Sequence, residues 1–139
     1  PEQLIRVKAG LESCTSKISP FPIELKGVGT YPNWERPRVV WVGIQAAEIL
    51  QTLNSQIERE TLAAGFLSEA KKFSPHLTLA RVASFPPSPS TMNVIRVLKG
   101  LEPVPSFGTM QVTHVSLFKS VLLPEGPVYT QLSSHFLRG

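Results

Sequence analysis

The chain has 139 residues, which suits one domain with a core of fair size. Apolar residues make up 42% and charged residues 17%, a composition that excludes a disordered chain. The net charge of +4 is compatible with a phosphate-bearing ligand but does not identify one. The apolar runs are far shorter than the ~18 residues of a membrane span. The single cysteine, Cys14, cannot form an internal disulfide, which favours a reducing, cytoplasmic location.

Hydrophobic spacing and turn residues predict the elements of the first half of the chain. The predicted elements are a helix over 1–17, strands over 21–28 and 38–44, and a helix from Ala46 to about Ala64. Gly65 is the expected C-cap of the second helix. Within the strand at 38–44, Trp41 is expected to be a core residue, whereas Trp34 in the preceding loop is the better candidate for stacking on a base.

The second half is predicted to contain three strands and a short helix. The predicted strands span 74–82, 110–118 and 128–136, the helix ends near Gly100, and residues 119–127 form a turn. Phe85 and the prolines after it form a rigid loop. Cys14, at helical spacing with Val7 and Leu11, is interpreted as a small core residue rather than a nucleophile.

The strand at 74–82 has the most informative pattern in the chain. Strict alternation puts His76 and Thr78 on one face, about 7 Å apart along the backbone. An imidazole is a general acid or base, and a hydroxyl beside it can hold a phosphate oxygen. Leu77 and Leu79 point to the opposite face, which we expect to pack inward. A strand histidine is more often a half-buried polar residue, so spacing alone leaves both interpretations open.

A second string has the same form. His114 and Ser116 lie on one face of the strand predicted at 110–118, as His76 and Thr78 do on theirs. Two such strands across a groove would supply an acid and a base around one phosphate. We expect the match to be a coincidence and His114 to be a surface residue, and we assign no role to His135. The scattered histidines and single cysteine lack metal-ligand spacing, and no glycine-rich nucleotide loop is present.

The wider string at 73–82, Phe-Ser-Pro-His-Leu-Thr-Leu-Ala-Arg-Val, closely resembles the second signature of the two-histidine (2H) phosphoesterase superfamily. The branch it resembles contains the RNA 2′,3′-cyclic phosphodiesterases, also called 2′-5′ RNA ligases. Residues 36–44 resemble that family's "RPRVLWAGV" strand, and residues 117–120 with 126–129 resemble its C-terminal hairpin. The resemblance covers essentially the whole chain.

The resemblance implies a metal-independent enzyme without a cofactor that opens 2′,3′-cyclic phosphates on RNA ends to 2′-phosphates. It implies that His76 is one of two catalytic histidines, that Thr78 hydrogen-bonds the phosphate and that Arg81 lies close to it. Regular alternation would put Arg81 on the face opposite His76. We therefore expect a bulge or the end of the strand before Arg81, or else a surface role for this arginine.

The resemblance also implies an α+β fold with antiparallel-rich sheets and outer helices, in two lobes of about 1–45 and 46–139. It places the family's first His-x-Thr signature ahead of the segment that matches Pro1, so we expect this chain to lack the partner histidine. Activity would then be weak unless His114 or a second chain completes the site. Open sheet edges would favour a homodimer or a domain swap. The alternative functions are a non-catalytic RNA- or phosphate-binding module and an inactive remnant held together by oligomerisation.

Overall fold

The structure, a computed structural model, describes residues 1–46 and 48–139. The described elements are, in chain order, α1 (Glu2–Thr15), β1 (Phe21–Tyr31), β2 (Val39–Ala46), α2 (Glu48–Ala63), β3 (His76–Arg81), α3 (Pro89–Lys99), β4 (Ser106–Val112), β5 (His114–Leu123) and β6 (Gly126–Phe136). The expected α+β class is confirmed. None of the described helices is long and apolar enough to cross a membrane.

Two sheets organise the strands. The first has the order β3-β2-β1-β4, with β1/β2 and β2/β3 antiparallel, and the second is the antiparallel hairpin β5-β6. By internal contacts, α1, α2, β5 and β6 belong to a first compact unit. β2, β3, α3, nearly all of β1 and most of β4 belong to a second unit. The boundary between lobes near residue 45, which the family resemblance implies, remains a prediction.

The core of the first unit is formed by the apolar stripes of its two helices. Val7, Leu11 and Ala64 are buried, and Ile57, Val115 and Leu117 pack against them. The spacing of Val7 and Leu11 puts both on one face of α1, which is the face that becomes buried. Cys14, one turn further along, is 3% exposed, as expected for a small core residue.

Local sequence explains where α2 and α3 are capped. Gly65 has φ +96°, and the amides of Gly65 and Phe66 donate to the carbonyls of Leu62 and Thr61, which is a Schellman motif. Gly65 is therefore the C-cap glycine that was predicted. The cap of α3 is at its N-terminus, where Ser88 Oγ accepts a 3.2 Å hydrogen bond from the Thr91 amide.

Three expectations about elements were wrong. The predicted strand at 110–118 is two strands that separate at Thr113, because β4 and β5 belong to different sheets. The predicted turn at 119–127 is mostly strand, since β5 pairs with β6 as far as Leu123 opposite Gly126. The second helix begins at Glu48, after Ala46 at the end of β2, and Ala47 lies outside the described residues.

The inward packing expected of Leu77 and Leu79 is also wrong. Their side chains are 47% and 57% exposed. The physical reason is that no other described residues cover either face of this edge strand, all six of whose residues are exposed. Pro75, immediately before β3, suits this edge position, because its missing N–H leaves no ladder donor unpaired.

Candidate active site on the face of strand β3

The site begins with the register between β2 and β3. His76 lies opposite Gly43, and Thr78 lies opposite Trp41. Directly opposed residues of an antiparallel pair share a face, and residues two apart along a strand also do. His76, Thr78 and Trp41 therefore lie on the same face of the sheet, and both β3 side chains are exposed to solvent.

A bulge brings Arg81 to that face as well. The ladder pairs Trp41 with Thr78 but Val40 with Ala80, so one extra residue, Leu79, is inserted between the two pairs. Arg81 then lies opposite Val39, which has the same parity along β2 as Trp41. The extra residue reverses the alternation that would have separated Arg81 from His76. Of the three outcomes considered from the sequence, the structure shows the bulge.

The guanidinium group of Arg81 is available to an anion. Arg81 is exposed, and no carboxylate among residues 1–46 and 48–139 lies within ion-pair distance of it. A planar guanidinium donates two parallel hydrogen bonds to phosphate oxygens, which an ammonium group cannot do. An exposed histidine, a hydroxyl and an unpaired arginine thus share one sheet face.

The tautomer of the neutral His76 ring is set by a backbone carbonyl two residues earlier. His76 Nδ1 lies 2.7 Å from the carbonyl oxygen of Ser74. A carbonyl only accepts, so Nδ1 carries the proton and donates it to this hydrogen bond. The neutral ring therefore keeps its lone pair on Nε2. That nitrogen can take a proton from a reactant and, once protonated, return one.

Tyr31 contacts this arrangement from the end of β1, the strand on the far side of β2 from β3. Its ring meets the His76 ring edge-on at 5.0 Å between centroids, and its hydroxyl lies 3.1 Å from Ser74 Oγ. Tyr31 thereby contacts both the imidazole and the residue whose carbonyl orients it. Sequence reasoning missed Tyr31, because it lies 45 positions from His76 and no local pattern connects them. Its place opposite Val39, on the site face, follows from the β1/β2 register.

Trp41 completes an aromatic group on this face. Its ring centroid lies 5.3 Å from that of Tyr31 and 6.3 Å from that of His76. The indole occupies the space above Gly29, where an added Cβ would lie 2.2 Å from Trp41 Cζ2. Trp41 is half-buried rather than a core residue, and its Nε1 has no partner among the described residues. Trp34, the expected stacking candidate, is also half-buried.

The other two histidines belong to the first unit. His114 is exposed, with Nδ1 2.9 Å from Thr113 Oγ1 and its ring 5.4 Å from that of Phe136, as expected for a surface residue. Ser116 Oγ lies 3.5 Å from Ser134 Oγ. His135 is 6% exposed and is hydrogen-bonded to Glu12 and Ser133 at 2.9 Å each. Residues 1–46 and 48–139 contain no group of three side chains that could ligate a metal.

Comparison with known proteins identifies the family. Residues 1–121 match the 2′-5′ RNA ligase superfamily. This chain belongs to that superfamily. The family resemblance noted in the string at 73–82 and in residues 36–44 is therefore confirmed.

Members of the superfamily with curated names match most of the chain. An RNA 2′,3′-cyclic phosphodiesterase of Aeropyrum pernix is 33% identical over 129 residues, covering 92% of this chain and 71% of that protein. A protein of the same name from Aquifex aeolicus is 33% identical over 140 residues, covering 99% of this chain and 71% of its own length.

Solved structures agree on the fold. The crystal structure of TT0787 of Thermus thermophilus superposes with a TM-score of 0.73 at 30% identity, covering 99% of this chain and 72% of that one. Escherichia coli LigT, solved in complex with 3′-AMP, superposes with a TM-score of 0.66 at 24% identity, covering 96% of this chain and 70% of LigT. The 2H phosphoesterase fold expected from the sequence is therefore the fold of this chain.

Proposed function

We propose that this superfamily member is a metal-independent RNA 2′,3′-cyclic phosphodiesterase that opens the cyclic phosphate to a 2′-phosphate. The observation that carries the proposal is the single sheet face on which β3 presents an oriented imidazole, a hydroxyl and a guanidinium with no carboxylate partner among residues 1–46 and 48–139. The relatives named RNA 2′,3′-cyclic phosphodiesterase support this activity rather than a non-catalytic binding module.

In the proposed reaction a water oxygen attacks the phosphorus atom and the bond from phosphorus to O3′ breaks. One imidazole takes the proton of the water, and another gives a proton to the leaving O3′. The products are a 2′-phosphate monoester and a free 3′-hydroxyl. His76 Nε2 supplies one of these two proton transfers, with its ring orientation set by the Ser74 carbonyl.

Thr78 and Arg81 act on the phosphate rather than on the proton. We assign Thr78 a hydrogen bond to a nonbridging oxygen, because its hydroxyl lies on the His76 face one pleat away. Arg81 balances the negative charge that grows on the phosphate oxygens as water attacks. Such charge stabilisation is worth most when the donor is already in place, and the bulge at Leu79, which brings Arg81 to the His76 face, supports this role.

The proposed reaction needs a second imidazole besides His76. The compact unit that contains His76 does not supply it, since His114 and His135 belong to the other unit. The resemblance assigns it to the family's first His-x-Thr signature. We propose that full activity needs that imidazole, and that a protein without it turns over slowly.

The proposal is tested with a short RNA that ends in a 2′,3′-cyclic phosphate, in the presence of EDTA. We expect hydrolysis to continue at an unchanged rate in EDTA and the product to carry its phosphate on the 2′ oxygen. Chromatography against 2′- and 3′-phosphate standards identifies the product. Loss of activity in EDTA, or a 3′-phosphate product, would contradict the proposed mechanism.

We also propose that copies of the chain associate through sheet edges. The edge strand β3 exposes Leu77 and Leu79, and an unpaired edge is a template for a strand of another molecule. Light scattering coupled to size-exclusion chromatography is expected to give a mass that rises with concentration. A constant monomer mass at high concentration would overturn the association.

A cytoplasmic location remains a prediction from the lone cysteine.

A further inference from the structure

The feature that the proposed reaction leaves unexplained is a pair of arginines on one aromatic ring. The Arg36 and Arg38 guanidinium carbons lie 5.9 and 5.0 Å from the centroid of the Phe85 ring. All three side chains are exposed, and Phe85 is 47% exposed although it is a large apolar residue. We call Arg36, Arg38 and Phe85 the arginine cluster.

The backbone beneath the arginine cluster is firmly held. Pro37, between the two arginines, is among the most completely buried side chains described. The Arg38 amide donates to the Tyr31 carbonyl and the Arg38 carbonyl accepts from the Val82 amide, both at 2.8 Å. The Arg36 amide donates to Asn33 Oδ1, also at 2.8 Å. The two cations are therefore presented from a fixed base, which reduces the entropy lost when they bind a ligand.

The positive charge of the arginine cluster is not neutralised within the described residues. Glu35, the nearest acidic residue in sequence, is paired instead with Lys99 at 3.8 Å. No carboxylate among residues 1–46 and 48–139 lies within ion-pair distance of Arg36 or Arg38. Guanidinium groups left free in this way suit phosphate, and a guanidinium or aromatic surface suits nucleobases.

The position of the cluster relative to His76 follows from the strand ladder. Arg81 lies opposite Val39, and Arg38 is joined to Val82, so the cluster is at the Arg81 end of the site. His76 lies opposite Gly43, five residues along β2 from Arg38, which is roughly 16 Å at the rise of a strand. One nucleotide of a stacked strand advances only about 3.4 Å. A mononucleotide held at His76 is too short to use the cluster fully, whereas an oligonucleotide can.

We propose that the arginine cluster binds phosphates of the RNA strand upstream of the cyclic end and makes the protein prefer oligonucleotides to mononucleotides. The inference rests on the proposed function, because it takes the cyclic end to be at His76. Phe85 keeps the two guanidinium groups in place through cation–π contact.

The test compares two substrates, a 2′,3′-cyclic mononucleotide and a six-nucleotide RNA that ends in the same cyclic phosphate. In the double variant Arg36→Ala/Arg38→Ala we expect kcat/KM to fall 10- to 100-fold for the RNA and to stay within twofold for the mononucleotide. The slope of log kcat/KM against log salt for the RNA should shrink by about 1.4, the value for two single-strand phosphate contacts. Equal losses on both substrates, or no loss, would overturn the inference.

Matched controls separate charge from folding. Arg96→Ala removes an exposed arginine of α3 whose side chain hydrogen-bonds only to Asn93 among the described residues, and should leave the rates on both substrates unchanged. Arg36→Lys/Arg38→Lys keeps the charge and should restore most of the salt slope while losing part of the affinity. Phe85→Ala removes the ring that holds the two guanidinium groups and should lower kcat/KM for the RNA but not for the mononucleotide. Its control is Phe107→Ala, which removes a comparably exposed phenylalanine from β4, at the other edge of the sheet, and should change neither.

A binding assay keeps the inference separate from the reaction. Fluorescence anisotropy is measured with a labelled six-nucleotide RNA that carries a 2′-O-methyl group and a 3′-phosphate at its end and cannot react. We expect Arg36→Ala/Arg38→Ala to weaken its binding at least 10-fold and Arg96→Ala to leave it unchanged. If the protein hydrolyses neither substrate but the variant shows this loss of binding, the proposed function is contradicted and the role of the arginine cluster in RNA binding is supported. Unchanged binding would contradict the proposed role of the arginine cluster, whatever the activity of the protein.

Discussion

At the scale of single residues, the orientation of His76 depends on a contact that local sequence does not reveal. His76 and Thr78 could be chosen from the alternation of one strand, because period-2 spacing puts them on one face whatever surrounds them. Tyr31 could not, since its contacts with His76 and Ser74 exist only after β1 pairs with β2. Trp41 was expected in the core for a similar reason, as an apolar strand does not show which face is covered.

We predict that Tyr31→Phe lowers kcat a few-fold and leaves KM nearly unchanged. The variant keeps the ring against His76 but loses the hydrogen bond to Ser74 Oγ, a contact worth about 0.5–1.5 kcal/mol. Tyr31→Leu, which also removes the ring, should cost more. Nitrogen-15 NMR of the His76 ring should show the proton on Nδ1 in the wild type and a mixture of tautomers in Tyr31→Leu.

Ser74→Ala is the matched control for the tyrosine hydroxyl. It removes the same hydrogen bond from the other side and keeps the carbonyl that accepts from His76. The double variant Tyr31→Phe/Ser74→Ala should therefore be no worse than either single variant. Additive losses would show that the two hydroxyls act separately and would remove Tyr31 as a positioning residue.

At the scale of elements, most helices and strands could be predicted and their ends could not. The helical stripe of α1 and the Gly65 cap are local features, and both are found where the sequence indicated. The division between β4 and β5 at Thr113 is not local, because it depends on which strand each segment pairs with. The bulge at Leu79 belongs to the same class: the sequence posed the question of where Arg81 points, and only the β2 register answers it.

We predict that Arg81→Ala lowers kcat/KM for the cyclic mononucleotide about 10- to 100-fold, which corresponds to the ~1.5–3 kcal/mol of a hydrogen bond to a charged group. Arg81→Lys should recover part of the loss, because it restores the charge without the two-pronged geometry. The control is again Arg96→Ala, on α3, which should not change the rate. A fully active Arg81→Ala would mean that Arg81 is a surface charge despite sharing the His76 face.

At the scale of the whole molecule, the two compact units carry different chemistry. The second contains the face with His76 and the arginine cluster. The first contains a polar network around the buried His135, which donates from Nδ1 to Glu12 and accepts at Nε2 from Ser133, while Arg138 pairs with the same glutamate. This network joins α1 to the C-terminal end of β6, and the reaction as proposed does not use it.

We predict that the network makes folding sensitive to pH. Burial lowers the pKa of His135 below its ordinary value of 6.5, and Lys8 adds to the effect. The unfolded chain then binds a proton at a pH where the folded chain does not, so acid favours unfolding. The contribution of His135 to the free energy of unfolding should be fully present above pH 6.5 and lost as the pH falls from there toward the lower pKa of the folded state.

Urea denaturation at a series of pH values from 5 to 8 (roughly the range over which histidine titrates) measures this dependence. His135→Gln should show a smaller change in the free energy of unfolding across that range than the wild type, since it removes the group that titrates. A wild type that becomes more stable in acid would show that attraction to Glu12 outweighs burial. That result would reverse the predicted sign.

The most direct test of the central claim compares the activity of His76→Ala with that of His114→Ala. Both histidines are exposed, begin an antiparallel strand and are followed by a hydroxyl residue two positions on. We expect His76→Ala to lose about 100- to 10,000-fold in kcat on a cyclic-phosphate RNA in EDTA, the usual share of a general acid or base. His114→Ala should stay within twofold of the wild type. An active His76→Ala, or a loss confined to His114→Ala, would contradict the assignment of catalysis to the β3 face.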